Sequence, residues 1–284
     1  MKKQKVIISV IVFLICFAIV AYFTGWLDTF LGRKFVISEI NLELIKCPAG
    51  TFTMGSPKEE LGRAEKTKYV YWDSEELHSV CITKPFYIGK YEITQSQYIA
   101  LMDKNPSKYV GINNPIDSVT YDEAKAFCDK LNLKYLNQLP QGYKFDLPTE
   151  AQWEYACRAG TNTALNNGKN LTNSKGTCPN LDEVAWYEEN SNKTTHPIGQ
   201  KKPNAWGIYD MHGNVYEWCR DYYGEYPNSA VTDPIGKKSY FARVIRGGGF
   251  DFSADYCRSA RRGQEDDDHR FYMLGFRVAL VPVE

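Results

Sequence analysis

Residues 243–262 read RVIRGGGFDFSADYCRSARR, and this stretch decides how the second half of the chain folds. Val244 and Ile245 between Arg243 and Arg246 have the composition of a short strand, and Gly247, Gly248 and Gly249 break it at once. From Phe250 to Tyr256 neither a helical nor a strand period is present, and an arginine-rich phrase resumes only at Cys257. The stretch therefore reads as a strand that feeds an irregular loop at the mouth of a sheet. Leu274 to Val281 (LGFRVALV) is the expected last strand, pairing near Arg243–Arg246. Cys257 is either a reactive thiol in a site or part of the frame around the loop.

Upstream, Leu42 to Met54 (LELIKCPAGTFTM) alternates apolar residues around a break at Pro48-Ala49-Gly50, and Phe86 to Ile93 (FYIGKYEI) reads as a strand pair pivoting on Gly89. Three helix starts repeat one chemistry. Thr94 with Gln97, Thr120 with Glu123 and Thr149 with Gln152 each set a hydroxyl cap three residues before a side chain that can reach back to the cap's own N–H. Ala124, Phe127 and Leu131 continue the second helix, and Trp153, Ala156 and Cys157 the third, which Gly160 closes. Beyond Gly160 long periodic segments are scarce although tryptophans and tyrosines abound, so specific contacts must hold a loop-rich half together.

The chain has 284 residues, 43% of them hydrophobic and 14% aromatic, enough for one substantial core. Its 34 Lys plus Arg balance 34 Asp plus Glu, which argues against nucleic acid as a partner. Lys2, Lys3 and Lys5 precede the uncharged, mostly apolar run Val6–Phe23, followed by Trp26. This pattern predicts a basic cytoplasmic stub over 1–5, a transmembrane signal anchor over 6–26 (or a cleaved signal peptide), a linker over 27–41 and one domain over 42–284 outside the cytoplasm, in the periplasm or at the cell surface. The seven cysteines after Cys16 and the four scattered histidines show no zinc spacing, leaving disulfides or buried thiols.

Five ordered phrases, GTFTMGS at Gly50, FYIGKYEITQSQY at Phe86, LPTEAQWEYACRAG at Leu147, PNAWGIYDMHGNVYEW at Pro203, and RVIRGGGF with CRSARR and LGFRVAL, resemble the formylglycine-generating enzyme, or sulfatase-modifying factor, family over about 42–282. The resemblance implies an α/β (α+β) single domain, low in regular secondary structure, with a variant of the C-type-lectin fold. It also implies calcium, held through Asp210, Glu217 and the carbonyls of Gly213 and Val215, with a second site at Asn180 and the carbonyl of Leu181. Carboxylates and turn carbonyls in irregular loops are ligands that calcium prefers.

The resemblance fails at catalysis. Family members that oxidise a substrate cysteine to formylglycine carry two cysteines, five residues apart, after a GGS turn, and these hold copper(I), a soft ion suited to paired thiolates. Here the turn ends in Gly249, the first cysteine position is Phe252, and Cys257 falls at the second only by simple counting. Aligning CRSARR with the arginine phrase of the enzymes makes Cys257 a frame residue instead, a buried thiol or a disulfide partner of Cys157 or Cys219. The inserts 250–256 and 263–273 mix aromatic, acidic and basic residues, a composition suited to ligand contact, although Glu265–Asp268 also reads as a solvated acidic turn. The expectation is a membrane-tethered, calcium-stabilised domain that binds a protein, peptide or glycan through Asp251, Phe252, Asp255, Tyr256, His269 and Tyr272. The alternative is a copper-dependent oxidoreductase using Cys257.

Overall fold

The computed structural model describes residues 32–64, 75–236 and 242–283. In chain order it contains β1 (Lys34–Ile37), β2 (Leu42–Cys47), β3 (Gly50–Met54), β4 (His78–Ile82), β5 (Phe86–Gly89), α1 (Gln95–Met102), α2 (Tyr121–Lys134), β6 (Tyr143–Asp146), α3 (Glu150–Arg158), α4 (Pro179–Asp182), β7 (Ala185–Trp186) and β8 (His212–Gly213). It continues with β9 (Tyr216–Tyr222), β10 (Val231–Thr232), β11 (Arg243–Arg246), β12 (Arg262–Glu265), β13 (Leu274–Gly275) and β14 (Ala279–Pro282).

A five-stranded sheet, ordered β1-β2-β5-β14-β6, forms the spine. Its alternation explains how it is covered on both faces. Leu42 and Leu44 of β2 join Tyr87 and Leu280 in one cluster under α1 and α2, while Ile45 and Cys47 join Phe86 and Ile88 in a second cluster under α3. All three predicted capping boxes form: Thr94, Thr120 and Thr149 each accept from the N–H three residues on, and Gln97, Glu123 and Gln152 accept from the cap N–H. Ala124, Phe127 and Leu131 are fully buried, as are Trp153, Ala156 and Cys157. The left-handed residue that ends α3 is Ala159 rather than Gly160, although Gly160 also has positive φ.

A four-stranded sheet, β12-β11-β9-β13, carries the opening stretch, and a three-stranded one, β10-β4-β3, lies beside α3. Four expectations change here. Residues 274–281 are not one strand: β13 pairs with β9 and β14 with β5 and β6, so β9 separates β13 from β11. The bend falls where Arg277 turns inward. Similarly, β5 ends at Gly89, where the chain turns rather than returning as a second strand. The domain begins before 42, because β1 already pairs with β2 across Lys34↔Ile45 to Ile37↔Leu42. Residues 263–265 belong to β12, paired with β11, so the second irregular insert starts at 266. Among the described residues no helix is long and apolar enough to cross a membrane, and the expected segment 6–26 lies outside the described residues.

Candidate functional site: an aromatic platform on the loops after β11 and β12

After β11 the chain turns through Gly247 (φ +100°) and Gly248 (φ +78°). A Cβ on Gly248 would lie 2.6 Å from Cys257 Sγ, so the turn folds directly onto that thiol. Phe250 is buried, with its N–H donating to the Asn214 carbonyl (2.9 Å) and its carbonyl accepting from Ser191 Oγ (2.6 Å). Phe252 emerges half-buried and begins a chain of rings. Its centroid lies 5.1 Å from Tyr216, 5.0 Å from Tyr256 and 6.3 Å from Phe271, and Phe271 continues to Tyr272 at 5.2 Å. Tyr109 joins at 6.3 Å from Tyr272, and Lys108 Nζ sits 3.8 Å above the Tyr272 ring.

Four of the six expected contact residues are thereby brought together: Phe252, Tyr256 and Tyr272 in the ring chain, and His269 stacked 6.3 Å from Phe271. Asp251 stands beside them, 3.7 Å from Lys193 Nζ. Asp255 turns elsewhere, accepting from Ser253 Oγ and packing against Gly62. The platform also contains Tyr109, Lys108, Tyr216 and Phe271, which sequence reasoning missed. Phe271 adjoins Tyr272 in the same insert and was legible; Lys108 and Tyr109 lie in an aperiodic segment with no signal.

The 266–272 loop is fastened at both ends. Arg270 gives Glu123 two bonds (2.6 and 2.7 Å) and one to the Ser118 carbonyl, while Asp267 accepts from Arg243 Nε (3.1 Å) and its carbonyl from the Tyr121 N–H. Partial burial works against the Glu123 carboxylate, but Arg270 and Lys104 outweigh it and hold the group down at about 2. The acidic run is thus only partly a solvated turn: Asp266 and Asp268 are exposed, whereas Asp267 and Glu265 have partners.

Around Cys257 the chemistry is inert. All seven cysteines among the described residues are free thiols, so pairing with Cys157 or Cys219 does not occur. Burial, then the nearby Asp255 carboxylate, pushes the Cys257 thiol up to about 12. Cys157 lies 3.8 Å from His212 Nε2, but that nitrogen accepts from the Asn166 N–H (3.0 Å) while Nδ1 donates to the Cys257 carbonyl (2.6 Å). Burial holds this imidazole down at about 4, so it forms no ion pair that would generate a thiolate. The copper pair does not fit these residues: a phenyl ring stands at the first position, and the second is a buried, protonated thiol.

The expected calcium ligands are split between two places. Glu217 is fully buried and accepts from Arg277 Nε and Nη2 (2.6 Å each) and from Trp153 Nε1 (2.7 Å). Asp210 accepts from the Gly199 N–H (2.7 Å), and Glu92, unforeseen from sequence, binds the Asn214 side chain and the Val215 N–H. Three buried carboxylates thus face one guanidinium. Burial first, and repulsion among the acids after it, raises Glu92 and lifts Asp210 to about 6. Among the described residues no three His, Cys, Asp or Glu side chains form a metal-holding group by themselves, so a cation here depends on the carbonyls of Gly213 and Val215. The surplus negative charge fits a hard cation, and Glu217 Oε1, accepting one bond, retains a lone pair for it. Asn180 and Leu181 lie in α4: the Asn180 side chain donates to the Asn170 carbonyl, and the Leu181 carbonyl accepts from Val184.

Comparison with known proteins agrees with this architecture. Residues 38–281 match the family described as "Sulfatase-modifying factor enzyme 1-like domain". "Chaperone protein LppX" of Paenibacillus barcinonensis is 32% identical over 239 residues, covering 68% of this chain and 79% of that one. The formylglycine-generating enzyme of Streptomyces coelicolor is 31% identical over 181 residues, covering 59% of this chain, and the match spans 52% of the enzyme's own length. Among solved structures, "Treponema denticola variable protein 1" superposes with a TM-score of 0.73 at 29% identity, covering 88% of this chain and 99% of that one. "PvdO from Pseudomonas aeruginosa" gives 0.70 at 28%, covering 88% and 98%.

Proposed function

Because this chain belongs to the sulfatase-modifying factor family, we propose that it is a non-catalytic binding or accessory domain that holds a partner against the aromatic platform. The observation that carries this reading is Phe252, a ring-packing residue at the position where formylglycine generators resemble one another in carrying a copper-binding cysteine. Half-buried rings supply contact area at little entropic cost, and Lys108, Lys193, Arg261 and Asp251 around them supply charges of both signs. That mixture favours a protein or peptide segment over a glycan. The chain would be tethered by residues 6–26 with the domain outside the cytoplasm, a reading that rests on the sequence pattern of the N-terminus.

Calcium belongs to the same proposal. Asp210, Glu217 and the carbonyls of Gly213 and Val215 would hold it, with Glu92 close by, and the ion would neutralise surplus charge that otherwise weakens the fold. A ligand bound only by the folded state stabilises it by mass action, so chelation of calcium-loaded protein should lower Tm, and Asp210→Ala should remove that sensitivity. An unchanged melting curve on chelation defeats the calcium assignment.

The binding assignment is tested with full-length protein on a random peptide display library and a glycan array in parallel. Enriched peptides that lose at least about tenfold in affinity with Phe252→Ala or Tyr272→Ala support it, since ring truncation at such anchors costs roughly 1–2 kcal/mol or more. Glycan binding alone reassigns the partner. Formylglycine production from a cysteine peptide with copper(I) and oxygen, abolished by Cys257→Ser, overturns the non-catalytic reading.

A further inference from the structure

A recess separate from the platform opens between the start of β4, the first turn of α3 and the 222–236 segment, with a volume of about 500 Å³. Its walls are largely aromatic and apolar: Tyr222, Tyr223 and Tyr226 line it, and Ile235 stands at its edge, 43% exposed. Its floor holds two buried carboxyl groups in unlike circumstances. Glu150 is saturated by Arg262 Nε (2.7 Å) and Nη2 (2.9 Å) and by the Tyr226 hydroxyl (3.1 Å). Asp221 is 4% exposed and accepts only the backbone N–H groups of Glu150 (2.8 Å) and Gly236 (2.6 Å).

Among the described residues no ion pair reaches Asp221. Each of its oxygens accepts one of these bonds and so keeps capacity for another. Burial first, then repulsion from Glu150, lifts the group to about 7, and the two N–H bonds and the more distant Arg262 offset this only in part. Glu150 and Arg262 cancel, and Glu225, lining the recess with its residue exposed, adds a second negative charge. The rings already receive a cation: the Arg262 guanidinium lies 4.4 Å from the Tyr223 centroid and 3.9 Å from that of Tyr226. A cationic head group therefore meets a carboxylate that has no ion pair among the described residues, whereas an anion meets two acids and a neutral body leaves Asp221 uncompensated.

We propose that this recess binds a small free amine with an apolar or aromatic body, its ammonium paired with Asp221 and its body against Tyr222, Tyr226 and Ile235. The proposal does not depend on the platform or on calcium.

The test is a titration of the full-length protein, followed by NMR or calorimetry, with phenethylamine, its neutral isostere phenethyl alcohol, the anion hydrocinnamate, and N-acetyl-lysine amide. For so few heavy atoms the expected Kd for phenethylamine is on the order of 1 mM, with the alcohol and the anion at least about tenfold weaker. Asp221→Asn should erase the preference of amine over alcohol. Ile235→Trp, which fills the recess without touching the buried network, should abolish amine binding and decides the matter even if the Asp221 variant does not fold. Equal binding of amine and alcohol, a preference that persists in Asp221→Asn, or binding that survives Ile235→Trp overturns the proposal. Tighter binding of N-acetyl-lysine amide than of phenethylamine would assign the recess to a peptide lysine and overturn the free-amine assignment.

Discussion

Arg277 shows how a single side chain closes this fold. Its guanidinium reaches both oxygens of Glu217 and the carbonyls of Gly89, Tyr209 and Asp210, joining three segments without exposure to water. Arg258 does related work with more charge: it is also fully buried, and it donates to Glu75, Glu60 and the Asp255 carbonyl. Removing one partner of such a pair strands the other, so Arg277→Ala should cost about 3–5 kcal/mol in urea unfolding, whereas His269→Ala, on an exposed side chain, should change stability by less than about 0.5 kcal/mol. Similar losses for both would mean that the loop is part of the frame. Asp221 permits a pH prediction at the same scale. Its folded value of about 7 lies above the unfolded value of about 4, so its contribution is fully present below about pH 4 and is lost as pH rises through about 7. Urea stability should therefore fall from about pH 5 to about pH 8, with a shallower slope in Asp221→Asn; an equal slope in the variant refutes the assignment.

At the scale of elements, the N-terminus of α2 serves both its helix and the platform. Glu123 completes the capping box of Thr120 and also takes both Arg270 bonds, so one carboxylate starts a helix and fastens the 266–272 loop. Because Arg270 is half exposed, Arg270→Ala should cost no more than about 1 kcal/mol globally. It should nevertheless speed hydrogen exchange at amides 266–273 and weaken peptide binding, while α2 exchange stays slow. Unaltered exchange in the loop would show that the Asp267–Arg243 contact alone holds it. The capping boxes were readable because cap and partner are three residues apart. The bend between β13 and β14 was not readable, because what turns Arg277 inward is Glu217, 60 residues away.

For the whole molecule, helices cover both faces of an antiparallel five-stranded sheet, and the smaller sheets carry the loops. The platform and the amine recess are served by neighbouring side chains at the start of β12: Arg261 faces Tyr256, and Arg262 lines the recess. The two sites share no lining side chain, so phenethylamine at saturation should leave peptide affinity at the platform unchanged within about twofold. A larger shift would show coupling through Arg261 and Arg262. If the tether proposed for 6–26 is correct, protease applied outside the cytoplasmic membrane should release the domain from intact cells; full protection after permeabilising the outer layers would reverse the topology.

The sequence by itself determined what depends on neighbours along the chain: alternation in β2 and β5, three helix starts, the glycine turn after β11, and the replacement of a copper-site cysteine by Phe252. It also carried the ordered phrases that mark the family. Only the tertiary structure decided which distant groups meet. Tyr109 reaches Tyr272, Glu92 joins Asp210 and Glu217, and Asp221, with no ion pair among the described residues, stands beside a saturated Glu150. Local spacing encodes hydrogen bonds and periodicity within a few residues, whereas these meetings depend on the path of the chain between them, and burial gives their charges an importance they would not have in water.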